Sequence, residues 1–410
     1  MKLCAERLLE LSEKYGESFY ILDLNKLSSN YDALLSAFRA KYGNSYIAYS
    51  YKTNYTPSVC RTINELGGYA EVVSGMEYEL AKKIGVKPDK IILNGPVKSR
   101  SAVEELLLSG GIINVDSENE LKMLEEICIV HPNSKLRIGI RCNFDVFDNK
   151  TSRFGIDINS DEFNRVFAYI KASENHVLSG LHCHFSERGI DIWKNKVSGM
   201  LNLIQNLNLT DIEYIDFGGG LFGKMSDSLK TQFETQIPEF QEYAEIVAAP
   251  FADHYADMDN PPILFIEPGS ALSGDIMSFV AKVVSIKSIR NKPIATLSGS
   301  MYNINPTLSR RNLPITVIRM NNAQCTKYTD LDFGGYTCIE SDYLFRGFTG
   351  ELDVGDYVVF DNAGSYSVVL KPPFILPNVP IISVDEITGI ERILKRGETF
   401  DDVFNSYVFD

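Results

Sequence analysis

Tyr49-Ser50-Tyr51-Lys52-Thr53-Asn54 is the stretch whose reading decides the fold. It closes the short apolar run Tyr46-Ile47-Ala48-Tyr49. Before that run, Leu24 to Tyr42 has helical periodicity, with Leu27, Tyr31, Leu34, Leu35 and Phe38 on one face. The pattern places Lys52 at the end of a buried strand. An amine there is poorly solvated, its ammonium form is disfavoured, and it becomes a nucleophile. That is the chemistry of a Schiff-base lysine. A lysine ending a strand can also simply reach water, so the surrounding segments decide.

Outward from Lys52, strand and helix patterns alternate. A helix from about Pro57 to Leu66 stops at Gly67-Gly68. Apolar strand runs follow at Tyr69–Val73, Lys90–Asn94, Ile112–Asp116, Lys135–Asn143, Leu178–Phe185, Ile212–Phe217 and Ile263–Glu267, with helical patterns between them. About eight β/α units in this order predict a closed parallel barrel rather than an open doubly wound sheet. After Pro268 the helices cease. Segments such as Val280–Ile289, Ile315–Arg319, Gly334–Ile339, Tyr357–Asp361 and Tyr366–Lys371 read as strands between Gly, Pro and Asn turns. The fold expected is therefore α/β: a (β/α)8 barrel over 20–268, then an antiparallel β domain over 269–410 that residues 1–19 join.

Composition excludes several function classes. Forty basic against 54 acidic residues, a net charge of −14, argue against a general nucleic-acid or anionic-membrane partner. No apolar run is long enough for a membrane-spanning helix, and the N-terminal stretch lacks a signal-peptide core. Seven dispersed cysteines without a CxxC pair fit reduced thiols and a cytoplasmic location. Five histidines without HxxxH spacing argue against a dedicated metal site.

In such a barrel the chemistry gathers at the C-terminal strand ends. Lys52, Glu71, Asn94, Asp116, Arg141, His184, Asp216 with Gly218-Gly219-Gly220, and Glu267-Pro268-Gly269 all stand there. A glycine turn lets backbone N–H groups close on a phosphate, or is just a tight turn. Glu267, ending a very apolar strand, must be paired or protonated. It could face a pyridine nitrogen or make a structural ion pair. His184 could stack on an aromatic cofactor, while His182, deeper on the same strand face, reads as core.

Taken together, these segments resemble the fold-type III pyridoxal-phosphate decarboxylases, the group containing diaminopimelate and ornithine decarboxylases. The resemblance runs through nearly the whole chain in the family's order. It is carried by Tyr49–Asn54, Glu71-Val72-Val73-Ser74-Gly75-Met76-Glu77, Val115-Asp116-Ser117, Ser152–Ile156, Gly180–His184, Asp216–Gly220, Glu267-Pro268-Gly269, Cys338–Asp342 and Gly364-Ser365-Tyr366. It implies an alanine-racemase-type barrel, pyridoxal 5'-phosphate as cofactor, an amino-acid substrate, and a homodimer with shared sites. It further implies that Lys52 carries the cofactor and His184 stacks on its ring. Glu267 would keep the ring nitrogen protonated. Glu71, Gly219, Gly220, Gly269 and Tyr366 would complete the cofactor site. Cys338, from the second subunit, would act as general acid, with Glu340 and Asp342 in the same loop and Asp342 placed to hold a substrate amine.

The departures bear on substrate. Where the diaminopimelate enzymes read EPGR, this chain has Ser270. A second family arginine is Asn305, a tyrosine is Ser309, and the glutamate after the loop cysteine is Ile339. Losing both arginines removes the bidentate grip on a distal carboxylate, leaving Arg310 and Arg311 nearby for a displaced anion. Ser186-Glu187 replaces the family's Gly-Ser beyond His184. The expectation is an α-decarboxylase for a modified or conjugated diamino acid. The alternatives are a racemase on the same barrel and a non-catalytic homologue that binds a partner protein.

Overall fold

Eight parallel strands close on themselves. In ring order they are Ser45–Ser50, Tyr69–Val72, Ile91–Leu93, Ile112–Val115, Leu136–Asn143, His176–His182, Tyr214–Asp216 and Ile263–Ile266. The last pairs with the first through Leu264 with Ser45, Phe265 with Tyr46 and Ile266 with Ile47, so the barrel has no free edge. This computed structural model describes residues 3–148, 150–307, 309, 311–321, 326–385 and 389–409. They fall into two units, one of Ser28–Phe222 with Thr235–Leu272, the other of Met1–Leu27, Gly223–Glu234 and Ser273–Asp410.

The first unit is the barrel. Its strands are buried on both faces, which is why they read as continuous apolar runs. Ala48, Ile92, Ile112, Tyr214 and Phe265 form one core cluster. The Tyr214 ring fills the barrel interior where Gly139 and Gly180 leave room, since a Cβ on either glycine would overlap it. Its hydroxyl donates to Asn114 Oδ1 at 2.7 Å. Helices connect the strands, and Ser74 and Ser160 cap two of them by accepting from the Glu77 and Phe163 N–H groups.

The second unit is a β domain. Its strand path runs Tyr343–Glu351, Lys327–Gly334, Lys292–Leu297, Met277–Ile289, Ser18–Leu22, Ile381–Val384, Glu391–Lys395. Tyr357–Phe360 joins Met277–Ile289 to Ile315–Ile318. Pairing is antiparallel except between Ser18–Leu22 and Ile381–Val384, and between Lys292–Leu297 and Lys327–Gly334. Leu8, Leu11, Phe19, Val280, Ile318, Tyr357, Val359 and Ile382 form its core cluster.

Two strand expectations are corrected. The strand near Gly334 ends there rather than starting, so Gly335–Asp342 is a loop. Tyr366–Lys371 is a turn. Tyr366 takes φ 65°, which a strand does not tolerate, and its carbonyl accepts from the Leu370 N–H at 3.0 Å. No helix among the described residues is long and apolar enough to cross a membrane.

Candidate active site

The barrel strands deliver a polar cluster to their C-terminal ends. The Ser45–Ser50 strand runs into a 3-10 turn, Tyr51–Thr53, that carries Lys52. Lys52 Nζ donates to Ser50 Oγ at 2.6 Å and to Glu71 Oε2 at 2.7 Å. Ser50 Oγ also donates to Glu71 Oε2, at 2.5 Å. This corrects the picture of a stranded amine: the Lys52 side chain is 35% exposed and ion-paired to a carboxylate that is 1% exposed. Glu71 therefore aims Lys52, with Asn94 Nδ2 on its other oxygen at 3.1 Å.

Glu267 follows the Ile263–Ile266 strand and is buried. Its Oε1 accepts from Asn94 Nδ2 at 2.5 Å. Its Oε2 lies 3.4 Å from His182 Nε2 and 3.5 Å from His184 Nδ1. Burial alone would raise this carboxyl. The His182 imidazole and the Lys52 ammonium outweigh it and hold Glu267 well below the carboxylate range. Asp216 beside it goes the other way. Burial, then the Glu267 charge, lifts it well above the usual range, so of the two Glu267 carries negative charge the more readily. Asp216 Oδ1 accepts from the Gly218 N–H at 2.8 Å.

His184 is one residue past a strand that ends at His182 and a buried Cys183. Its Nδ1 accepts the Gly219 N–H at 2.9 Å, which leaves Nε2 as the protonated nitrogen. Burial pushes its pKa down to about 3, so the ring is neutral. His182 was expected to be core alone, yet it too reaches Glu267. The ligand atoms of His182, His184 and Glu267 lie within 4.8 Å of one another. With His184 Nδ1 taken by the Gly219 N–H, it is His182 Nε2 that can donate to the Glu267 carboxylate, at 3.4 Å.

Gly218 and Gly220 adopt φ 62° and 92°, and a Cβ on Gly218 would meet the Cys183 carbonyl at 2.6 Å. Gly219 spends its N–H on His184, whereas the Gly220 N–H makes no hydrogen bond among the described residues. A Cβ on Gly269 would overlap Thr53. Ser270 starts the short helix Ser270–Ser273. An ion-paired amine, a neutral imidazole, a buried carboxylate and an unused backbone donor thus share one end of the barrel. That donor set fits a phosphorylated pyridine aldehyde.

Glu77 adds a pH dependence. Its Oε2 accepts from the Val73 N–H at 2.7 Å, and burial pushes its carboxyl up to about 7 from 4.5. The folded chain then binds this proton more tightly than the unfolded chain. Stability is greatest below the unfolded value and declines as pH rises toward about 7. Glu77→Gln is expected to flatten that decline and to raise stability near neutral pH by about 2–3 kcal/mol. Urea denaturation across the pH range checks it; an unchanged slope assigns the effect elsewhere.

The remaining predicted residues lie in the β unit. Cys338 and Glu340 are exposed on the Gly335–Asp342 loop, and Ile339 is half-buried. Asp342, offered as a holder of a substrate amine, is engaged within its own unit. It is buried and accepts from Ser300 Oγ at 3.1 Å, Met301 N at 2.7 Å and Thr337 Oγ1 at 2.5 Å. Asn305 Oδ1 accepts from the Ser309 N–H at 3.2 Å, knitting its own loop. Arg311 donates to Ser309 Oγ at 3.2 Å and stacks on Phe233. Arg310 lies outside the described residues. Tyr366 is half-buried in its turn.

The family described as "Pyridoxal-dependent decarboxylase, pyridoxal binding domain" matches residues 29–274, well over half of the chain. The chain belongs to this family. It is a pyridoxal-phosphate-dependent amino-acid decarboxylase. Diaminopimelate decarboxylase from Aquifex aeolicus is 27% identical, the match covering 96% of this chain and 92% of the relative. A probable chloroplastic diaminopimelate decarboxylase from Oryza sativa subsp. japonica is 28% identical over 94% of this chain and 78% of the relative. A crystal structure from Aquifex aeolicus superposes with TM-score 0.82 at 26% identity, covering 97% of this chain and 93% of that one. Diaminopimelate decarboxylase from M. jannaschii has TM-score 0.86 over 98% and 94% of the two chains, and at 22% identity shows the shared fold.

Sequence reasoning missed four residues of this decarboxylase's barrel: Asn114, Tyr214, Trp193 and Lys196. Asn114 and Tyr214 support Asn94, since Asn114 Nδ2 donates to Asn94 Oδ1 at 2.8 Å. Both sit inside ordinary strand runs and carried no signal. Lys196 carried one, a lysine on the apolar stripe of its helix.

Proposed function

We propose that this decarboxylase removes the α-carboxyl group of a modified or conjugated diamino acid rather than of diaminopimelate. The observation that carries this reading is Ser270, at the first position of a helix beside Gly269, where the resemblance expects an arginine. An arginine fork holds a distal carboxylate by two parallel charged hydrogen bonds; a serine hydroxyl offers one neutral bond. Asn305, at the second arginine position, is taken up by its own loop. Arg141 at the barrel mouth is paired with Asp116 at 3.2 Å and stacks on Phe154.

In this reading Lys52 is the covalent anchor for the cofactor aldehyde, aimed by Ser50 and Glu71. His184 would contact the ring, and Glu267 would keep its nitrogen protonated. The Gly220 N–H, Gly269 and Tyr366 hold the phosphate. Pyridoxal phosphate, once bound, supplies an electron-accepting ring that stabilises the charge left on the α-carbon when CO₂ departs. Cys338, an exposed thiol, returns a proton to that carbon from the second copy in a homodimer. Glu340, the exposed carboxylate of that loop, meets a substrate amine in place of Asp342. Free thiols at Cys4, Cys60, Cys128, Cys142, Cys183 and Cys338 support a reducing, cytoplasmic setting.

The test is CO₂ release from a panel of acylated and citryl-linked diamino acids, with meso-diaminopimelate, lysine and ornithine as comparators. At least one conjugated acid is expected to exceed diaminopimelate in kcat/KM by about 100-fold, the size of effect that lost charged contacts produce. Diaminopimelate as the best substrate would refute the reading.

A further inference from the structure

Helix Ile190–Asn206 buries Trp193, Lys196, Val197, Met200, Leu203 and Ile204. Five of these are ordinary core residues. Lys196 is not, for an ammonium taken out of water is normally paired with a carboxylate. Lys196 is 1% exposed and makes no ion pair among the described residues. Its Nζ donates to the Gly219 carbonyl at 3.1 Å and lies 3.6 Å from the centre of the Trp193 ring. Burial pulls its pKa down to about 8, and the Glu267 charge works the other way, helping it hold its proton. Burial holds the Cys183 thiol up at about 12 and, with the Glu267 charge, raises Asp216 as well.

Trp193, one helical turn earlier, donates its indole N–H to the Gly220 carbonyl at 2.9 Å. Two successive carbonyls of the glycine turn are therefore drawn toward this helix. Across a trans peptide the C=O and the following N–H point in opposite directions, and no peptide bond among the described residues is cis. The Gly220 and Leu221 N–H groups must then face away from the helix, and neither makes a hydrogen bond among the described residues. The turn presents two adjacent donors with a buried cation behind them, an arrangement built for an anion.

We propose that Lys196 is a positioning residue for the cofactor phosphate: with Trp193 it fixes the Gly219 and Gly220 carbonyls on the helix side, so that the Gly220 and Leu221 N–H groups meet the phosphate, whose charge completes the buried cation. This rests on the reading that the glycine turn takes the phosphate. It also accounts for a phosphate loop that survives Ser186-Glu187 in place of Gly-Ser.

Trp193 is the only tryptophan in the sequence, so its emission reports on this turn. The experiment titrates wild-type, Lys196→Met and Lys196→Arg proteins with pyridoxal phosphate and with pyridoxal, following that emission. Wild type is expected to prefer the phosphorylated form. Lys196→Met is expected to lose that preference by roughly tenfold or more, with pyridoxal affinity unchanged. Lys196→Arg, which restores the charge, is expected to keep the preference within a few fold. An undiminished preference in Lys196→Met, or an equal loss in Lys196→Arg, overturns the role of Lys196 alone. A wild type that does not distinguish the two ligands overturns the phosphate reading of the turn as well.

Discussion

Lys52→Ala protein mixed with pyridoxal phosphate is expected to show no visible absorbance band and to release CO₂ at least ~10⁴-fold more slowly than wild type, as when a covalent catalyst is lost outright. The geometry behind this is the grip on Nζ, held at 2.6 Å from Ser50 Oγ and 2.7 Å from Glu71 Oε2. The amine is presented by a strand and the 3-10 turn that follows it. Alanine also leaves Glu71 buried without its cation, which costs several kcal/mol of stability. Lys52→Arg separates the two effects. It keeps a cation for Glu71 but has no amine that condenses with the aldehyde, so it should fold like wild type and remain inactive. An absorbance band in Lys52→Arg would move the anchor elsewhere.

Glu267→Gln carries the second large effect. Glutamine can still accept from Asn94 Nδ2, which now bonds Glu267 Oε1 at 2.5 Å, so packing survives while the charge disappears. The site then lacks the anion that favours a protonated ring nitrogen, and kcat is expected to fall by about 10²–10³-fold with the cofactor still bound. Asp216 should respond too, because the Glu267 charge helps to keep its proton in place. A kcat within tenfold of wild type would mean that Glu267 is structural, the other reading open to a carboxylate ending an apolar strand.

The barrel could be read from the chain because parallel strands buried on both faces are unbroken apolar runs, each ended by a polar or glycine group. The β unit was harder. Tyr343–Glu351 exposes alternate positions and includes Arg346, Gly347 and Gly350, so its alternation looks like a polar loop. Ile381–Val384 finds its partners across the chain, one of them the N-terminal Ser18–Leu22 strand. Tyr366 looked like a strand start because nothing in its residue type announces a φ of 65°.

The site divides in the same way. Residues at strand ends, such as Lys52, Glu71 and Glu267, were visible by position. What aims them was not. Asn94 bonds Glu267 across 173 residues of chain, and only the closure of the barrel brings the two together. Lys196 was missed because its meaning depends on the glycine turn it bonds, 23 residues further along the chain.

The central claim is that the amine at the end of the Ser45–Ser50 strand carries pyridoxal phosphate. Borohydride reduction of the loaded protein, followed by peptide mass spectrometry, tests it most directly. A phosphopyridoxyl group is expected on the peptide containing Lys52, and no such label in Lys52→Arg. A label on any other lysine, or none in wild type, would contradict it.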